Sequence, residues 1–326
     1  MSEPKSLQEA VLYFANPVNC REYLVARRWP DGVICPRCGK SNVLFLEKYN
    51  RWHCREKHDA PQFTLKTGTI FEESPISLDK WLLAMWQIVN CKNGISSYEI
   101  AKAVKVTQKS AWFMLQRLRL ALQNKPSFGK MTKLGGKDSE VEVDETFVGG
   151  QKKNMHADKK VRYEAKGGAS GKTVVQGILD RTARQVRATV VPDVKRETLQ
   201  NEILKQVKYG TKVYTDDAVA YEQGLQRRFI HDFVNKTESY VNGRVHVNGM
   251  ENFWSLLKRG LKGTYVAVEP FHLDRYIDEQ VFRYNNRATK DNPLNDSDRF
   301  DLAVRQIVGK RLTYAELTGK LHEEAF

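Results

Sequence analysis

Three acidic residues in the second half of the chain stand where divalent metal chemistry could be built. Asp144 lies in Glu140-Val141-Glu142-Val143-Asp144-Glu145, Asp216 ends Lys212-Val213-Tyr214-Thr215-Asp216, and Glu251 opens Gly249-Met250-Glu251-Asn252-Phe253-Trp254-Ser255-Leu256-Leu257-Lys258-Arg259. Mg2+ and Mn2+ are hard ions that prefer oxygen ligands. A pair of them held by a few converging carboxylates can activate a water or a DNA 3′-hydroxyl and stabilise the leaving oxygen. Each acid alone is weak evidence, because an Asp ending a strand commonly serves a turn and a Glu opening a helix commonly answers the macrodipole. The order strand-Asp, strand-Asp, helix-Glu is far more specific than any member. Lys258 falls two turns after Glu251 on the same helical stripe and suits a phosphate contact.

A second set of residues has the chemistry of a structural metal. Cys35-Pro36-Arg37-Cys38-Gly39 is a C-x-x-C knuckle, and Cys54 and His58 follow it. Three sulfurs and one imidazole, from Cys35, Cys38, Cys54 and His58, make a known structural zinc combination with no position left for substrate. His53 or Asp59 could replace His58 as the fourth ligand. Cys20 and Cys91 have no spaced partner and read as buried small apolar residues. Five cysteines in a chain of this length do not look like a disulfide scaffold.

The elements that must position these groups are legible in outline. Val43–Leu46, Arg51–Cys54 and Gln62–Leu65 read as the three strands of a zinc ribbon. Trp81, Leu82, Met85, Trp86 and Val89 mark a helix. Ser96 and Glu99 form a capping box for a second, which turns Ile100, Ala103 and Val104 inward. Thr107 caps a third, whose Ala111, Met114, Leu115, Leu118 and Leu122 form one apolar stripe. Its other side carries Lys109, Gln116 and Arg117. A short turn followed by a polar, basic helix matches a DNA-reading helix-turn-helix. After the glycine-containing segment from Asn124 to Gly136, strict alternation makes Glu140–Glu145 a strand. It places Val141 and Val143 on one face, and Asp144 on the other with Glu140 and Glu142. Thr173–Asp180 and Gln185–Val191 complete a meander. Thr198–Val207 reads as a helix and Lys212–Thr215 as a short strand. Met250, Phe253, Trp254, Leu257 and Leu261 form the apolar stripe of the Glu251 helix, which makes Trp254 a core residue.

The 326-residue chain carries a formal net charge of +14. That excess points to a polyanion, and nucleic acid suits it better than a membrane surface, because no long basic amphipathic helix with apolar anchors is present. No stretch approaches the length needed to span a bilayer, and Val11–Ala15 is too short for a signal peptide.

The quoted motifs, together with Gly68-Thr69-Ile70-Phe71, Val143–Gly150, His246–Arg259 and Phe282–Arg287, resemble the insertion-sequence transposases with a DDE catalytic domain, specifically the zinc-ribbon group called ISXO-two-like. The resemblance covers nearly the whole chain and is most specific around Glu251. It implies an α/β protein in which an RNase H-like catalytic domain is preceded by a small zinc ribbon and a helix-turn-helix module. The expected divisions are 1–75 for the ribbon segment, 76–125 for the helices, 126–137 for a linker, 138–290 for the catalytic domain and 291–326 for a C-terminal helical tail. The family triad falls on Asp144, Asp216 and Glu251, with Glu145 and Asp217 as neighbouring alternatives. Implied cofactors are Mg2+ or Mn2+ at the triad and structural Zn2+. His246 and Asn248 contact DNA or orient the triad, or Asn248-Gly249 simply turns the chain into the helix. Arg283 and Arg287, and the basic run Lys152, Lys153, Lys159, Lys160 and Arg162, hold phosphate or are solvated. The resemblance implies a DNA transposase that binds terminal inverted repeats, cleaves double-stranded DNA, joins ends to target as a homo-oligomer, and works in the cytoplasm at the nucleoid. The alternatives are a non-catalytic DNA-binding regulator derived from such an enzyme and an RNase H-like nuclease.

Overall fold

Ser6 and Asn16 start the first two helices, α1 (Leu7–Phe14) and α2 (Pro17–Arg28). The Ser6 hydroxyl accepts from the Glu9 N–H and the Asn16 side chain from the Val18 N–H, and Pro17 occupies a first-turn position where no N–H is needed. The computed structural model describes residues 2–123, 132–149, 172–218, 220–221, 224–234, 243–290 and 292–319. The basic run from Lys152 to Arg162 and the first half of the expected linker lie outside the described residues. The chain divides into two units, Met1–Ser127 with Asn286–Phe326, and Phe128–Asn285.

In the first unit, β1 (Val43–Leu46), β2 (Arg51–Cys54) and β3 (Gln62–Phe63) form a three-stranded antiparallel sheet. The third strand is shorter than its sequence suggests, ending at Phe63. Trp52 pairs with Phe63 in register and their rings stack with centroids 5.9 Å apart. Helices α3 (Leu78–Asn90), α4 (Ser97–Val104) and α5 (Gln108–Leu122) follow. Both bonds of the Ser96–Glu99 capping box form, and the Thr107 hydroxyl accepts from the Ser110 N–H. The apolar stripe of α5 is buried as expected, but Ala103 of α4 is exposed. The C-terminal segment completes this unit rather than forming a separate tail. Phe300, on the helix Asp296–Arg305, packs against Phe14, Tyr23 and Trp86 with centroids 5.7, 5.6 and 5.0 Å away.

The second unit is built on a five-stranded mixed sheet. Its strands are β4 (Glu140–Val148), β5 (Thr173–Asp180), β6 (Gln185–Val191), β7 (Lys212–Asp216) and β8 (Ile230–Val234), in the order β6-β5-β4-β7-β8. The meander β4-β5-β6 is antiparallel. A crossover containing α6 (Arg196–Gln206) then returns the chain to β7, parallel to β4, and β8 lies parallel to β7. Val141, Val143, Ile178 and Val213 face Leu199, Ile203 and Val207 on one side of the sheet. On the other side, Val175, Leu179 and Val186 meet α7 (Asn248–Gly260) and α8 (Leu273–Asn285) through Met250, Phe253, Trp254, Leu257 and Ile277. Among the described residues, no helix is long and apolar enough to cross a membrane.

Candidate active site and metal centre

Alternation along β4 places Glu140, Glu142 and Asp144 on the α7 side of the sheet, and all three are buried. Buried carboxylates need donors. Arg181, just beyond the end of β5, supplies two of them: its Nε donates to Glu142 at 2.7 Å and its Nη1 to Glu140 at 3.3 Å. Arg244 donates to Glu140 at 2.8 Å. Arg181 also donates to the carbonyls of Arg244 and His246, each at 2.7 Å, and so holds the segment that leads into α7. Glu142 in turn accepts the Met250 N–H at 2.9 Å. α7 has no capping side chain of its own, and Glu142 answers the positive end of its dipole from the neighbouring strand.

One strand turn on, Asp144 Oδ2 accepts the indole N–H of Trp254 at 2.9 Å. Two residues along β4 therefore match four along α7. These steps are about 6.6 Å for the strand and about 6.0 Å for the helix, so the two elements stay in step. Gly177 makes the approach possible. It pairs with Asp144 across β4 and β5, and a Cβ there would lie 2.6 Å from Trp254 Cζ2. Gly249 is similar, since a Cβ would lie 2.9 Å from a Glu142 oxygen.

Asp216 ends β7. The parallel pairing of β4 with β7 runs Glu140–Lys212, Val141–Val213, Glu142–Tyr214, and two residues further Asp144 and Asp216 hold corresponding positions. Val213 faces α6, so Tyr214 and Asp216 share the α7 side with Asp144. Asp216 is half-buried and accepts the Ala218 N–H at 3.3 Å. Glu251 is exposed in the first turn of α7. The structure thus sets two of the acids on one sheet face and the third on the helix covering it. The three do not form a group whose ligand atoms all lie within 4.8 Å; among the described residues that closeness belongs to the cysteine cluster. The donor set suits Mg2+ or Mn2+ by its chemistry, all oxygen and from separate elements. Lys258, half-buried one turn beyond Trp254, has its ammonium pKa lowered by burial and by Lys262 and Lys172, against the pull of Asp144.

At the other centre, Cys35, Cys38, Cys54 and His58 bring their ligand atoms within 4.8 Å of one another. Cys38 Sγ and Cys54 Sγ are 3.6 Å apart, and Cys35 Sγ and His58 Nε2 are 3.5 Å apart. Ligands on a tetrahedral zinc stand about 3.8 Å apart for two sulfurs and about 3.6 Å for sulfur and nitrogen. His58 Nδ1 lies 2.8 Å from the Asp59 carbonyl; donating there leaves Nε2 with its lone pair toward the sulfurs. The residues present therefore fit a structural Zn2+, and His58, not His53 or Asp59, is the fourth member. Burial pushes the Cys54 thiol up, to about 11 with the neighbouring sulfurs. The Cys35 thiol is also opposed by burial, but the backbone N–H groups of Cys38 and Arg37 bring it down to about 7.

Several expected DNA contacts have other occupations. Gln116 and Arg117 are buried, and Arg117 donates to the carbonyls of Leu312, Ile70 and Glu72 at 3.0, 3.1 and 2.9 Å. Neither is on the surface of α5, because that face is covered by other segments of the same unit. Lys109 is exposed, its ammonium 5.0 Å from the Tyr314 ring centre. His246 is half-buried against Arg181, with its pKa lowered first by burial and then by that guanidinium, while Asn248 is exposed as the first residue of α7. Arg283 is buried and ion-paired with Glu279. Cys20 is buried and its thiol donates to the Phe14 carbonyl at 3.1 Å, whereas Cys91 is only partly buried. Sequence reasoning put Glu142 on the face of Asp144 but missed its partners, and it missed Arg181 and Gly177. The row of acids on one strand face was the available signal, since such a row demands cations.

Against known proteins, a family model described as an ISXO2-like transposase domain matches residues 133–285, and one described as a transposase zinc-ribbon domain matches residues 16–56. His58 lies just beyond the second match. A protein in transposable element ISH50 of Halobacterium salinarum is 26% identical over 263 residues, covering 76% of this chain and 84% of its own length. A transposase-like protein of Haemophilus influenzae is 31% identical over 106 residues, covering 32% of this chain and 85% of its own. Among solved structures, a simian T-cell lymphotropic virus intasome in complex with PP2A regulatory subunit B56 gamma matches at 12% identity over 63% of this chain and 70% of that one. Its TM-score of 0.31 is too low to carry an argument.

Proposed function

This chain belongs to the ISXO2-like insertion-sequence transposases with an N-terminal zinc ribbon, and from that membership we propose that it cuts the ends of its element and joins the freed 3′-hydroxyls to target DNA. The observation that carries the reading is the placement of Asp144 and Asp216 at corresponding positions of adjacent parallel strands, on the sheet face covered by the helix that bears Glu251. An antiparallel three-strand meander followed by two parallel strands supports an RNase H-like catalytic domain.

In this reading Asp144, Asp216 and Glu251 hold Mg2+ or Mn2+. The ions would neutralise charge on the phosphate and activate the attacking water in cleavage and the freed 3′-hydroxyl in joining. Lys258 contacts a phosphate oxygen, and its half-buried position strengthens that attraction. The arginine-paired Glu140 and Glu142 serve differently, holding α7 on β4 so that Glu251 comes to the same edge as Asp144. The zinc ribbon and helices α4 and α5 select the element's ends, with Lys109 as an exposed phosphate contact. The two ends must be brought together, so the working complex in this reading is a homo-oligomer on DNA.

The test supplies purified protein, Mg2+ and duplex DNA carrying the element's ends, and compares wild type with Asp144→Asn. End cleavage and joining by the wild type alone, with end binding equal in both, supports the reading. Binding without cleavage by either protein indicates a DNA-binding regulator. Cleavage of RNA–DNA hybrids with no preference for ends indicates a nuclease.

A further inference from the structure

We propose that Trp254 is a positioning residue for Asp144, its indole N–H fixing one carboxylate oxygen so that the group presents a set orientation to a divalent ion. The inference rests on the reading of Asp144 as a metal ligand. Its own basis is geometric. Trp254 Nε1 lies 2.9 Å from Asp144 Oδ2, and both residues are buried, at 4% and 6% exposure. The indole N–H is a donor only, so it complements a carboxylate and has nothing to offer a second donor. The partner elements are shaped for this contact. Gly177 sits directly across from Asp144 in the β4–β5 pairing, and any side chain there would occupy the space of the indole ring. The Glu142 bond to the Met250 N–H, one helical turn earlier, sets the height of α7 on the strand and so the reach of Trp254.

A carboxylate that ligates a metal through one oxygen gains from an outer partner on the other, because the partner removes the rotation that binding would otherwise have to freeze. Losing such outer partners typically lowers metal affinity or activity by about 10–100-fold. Packing alone would assign Trp254 a different role. Its ring lies edge-on to Phe253, with centroids 5.1 Å apart, and shares a cluster with Met250 and Leu257. A ring that only packs would affect stability and leave metal affinity alone, which separates the two roles.

The experiment is a Mn2+ titration of the zinc-loaded full chain, followed by electron paramagnetic resonance of the free ion, on wild type, Trp254→Phe and Asp144→Asn. A fourth protein carries β-(3-benzothienyl)alanine at position 254, which keeps the bicyclic shape and lacks the N–H. The expected result is a loss of Mn2+ affinity of about tenfold or more in both Trp254 variants, with circular dichroism as in the wild type. The Mg2+ concentration needed for half-maximal end cleavage should rise by the same factor, and saturating Mn2+ should restore much of the rate. Wild-type Mn2+ affinity in the benzothienyl protein, alongside its loss in Asp144→Asn, overturns the inference and leaves the catalytic reading intact. Unchanged Mn2+ affinity in Asp144→Asn overturns both. If Trp254→Phe fails to fold, the benzothienyl protein decides alone.

Discussion

Three acids share one face of β4, and the groups that answer them divide their work. Glu140 accepts from Arg244 and Arg181, Glu142 from Arg181 and the start of α7, and Asp144 from an indole. Hydrogen bonding from Arg244, opposed by burial and helped by Arg181, holds the Glu140 carboxyl below its usual 4.5. A folded value below the unfolded one means that ionised Glu140 stabilises the fold above about pH 4.5. That contribution disappears as the pH falls through the depressed value. Glu140→Gln should therefore lower the urea midpoint at pH 7, and the gap from wild type should shrink as the pH is lowered below 4.5. A gap that stays constant over this range would contradict the assignment. At the same scale, the places of Asp144 within a strand, Asp216 at a strand end and Glu251 at a helix start were readable from alternation and apolar periodicity. The donors around them were not, because Arg181 and Trp254 reach β4 from elements far away in sequence.

The decisive element is α7, whose seat depends on two absent side chains as much as on present ones. Gly177→Ala places a methyl group where Met250 and Trp254 already lie. Overpacking of this kind costs about 1–3 kcal/mol. Chemical denaturation should show that loss, and Mn2+ affinity should fall with it because Trp254 is pushed from Asp144. A fully stable Gly177→Ala protein would mean that α7 is not held as described. Helical periodicity predicted the buried stripes of α5 and α7 well, since an apolar stripe must find some partner. It failed for Gln116 and Arg117. A helical wheel shows which side is polar, but not that Ile70, Glu72 and Leu312 offer backbone carbonyls to that side. Nor did it show that Ala103 of α4 stays exposed.

At the scale of the whole chain, the cysteine cluster and the proposed carboxylate site belong to different units, each with its own core. The three short strands of the ribbon bury few residues, among them Trp52 and Phe63, so the metal must supply much of their stability. Cys54→Ser is expected to abolish the zinc found by elemental analysis, to change the near-ultraviolet signal of Trp29 and Trp52, and to remove end binding. The sheet of the second unit should persist, as judged by circular dichroism. Zinc retained at one ion per chain in this variant would refute the assignment of Cys54 as a ligand. The ribbon was legible because its C-x-x-C spacing is a local constraint. The return of residues 286–326 to the first unit was not, because the pairing of Phe300 with Phe14 and Trp86 joins the two ends of the chain and leaves no local mark. The claim on which the mechanism depends is the convergence of three carboxylates on one metal centre. Its most direct test is a crystal structure of the protein on its end DNA, soaked in Mn2+ and measured at the manganese absorption edge. The account predicts anomalous peaks ligated by oxygens of Asp144, Asp216 and Glu251. Manganese bound elsewhere, with Glu251 turned away from Asp144 and Asp216, would contradict it.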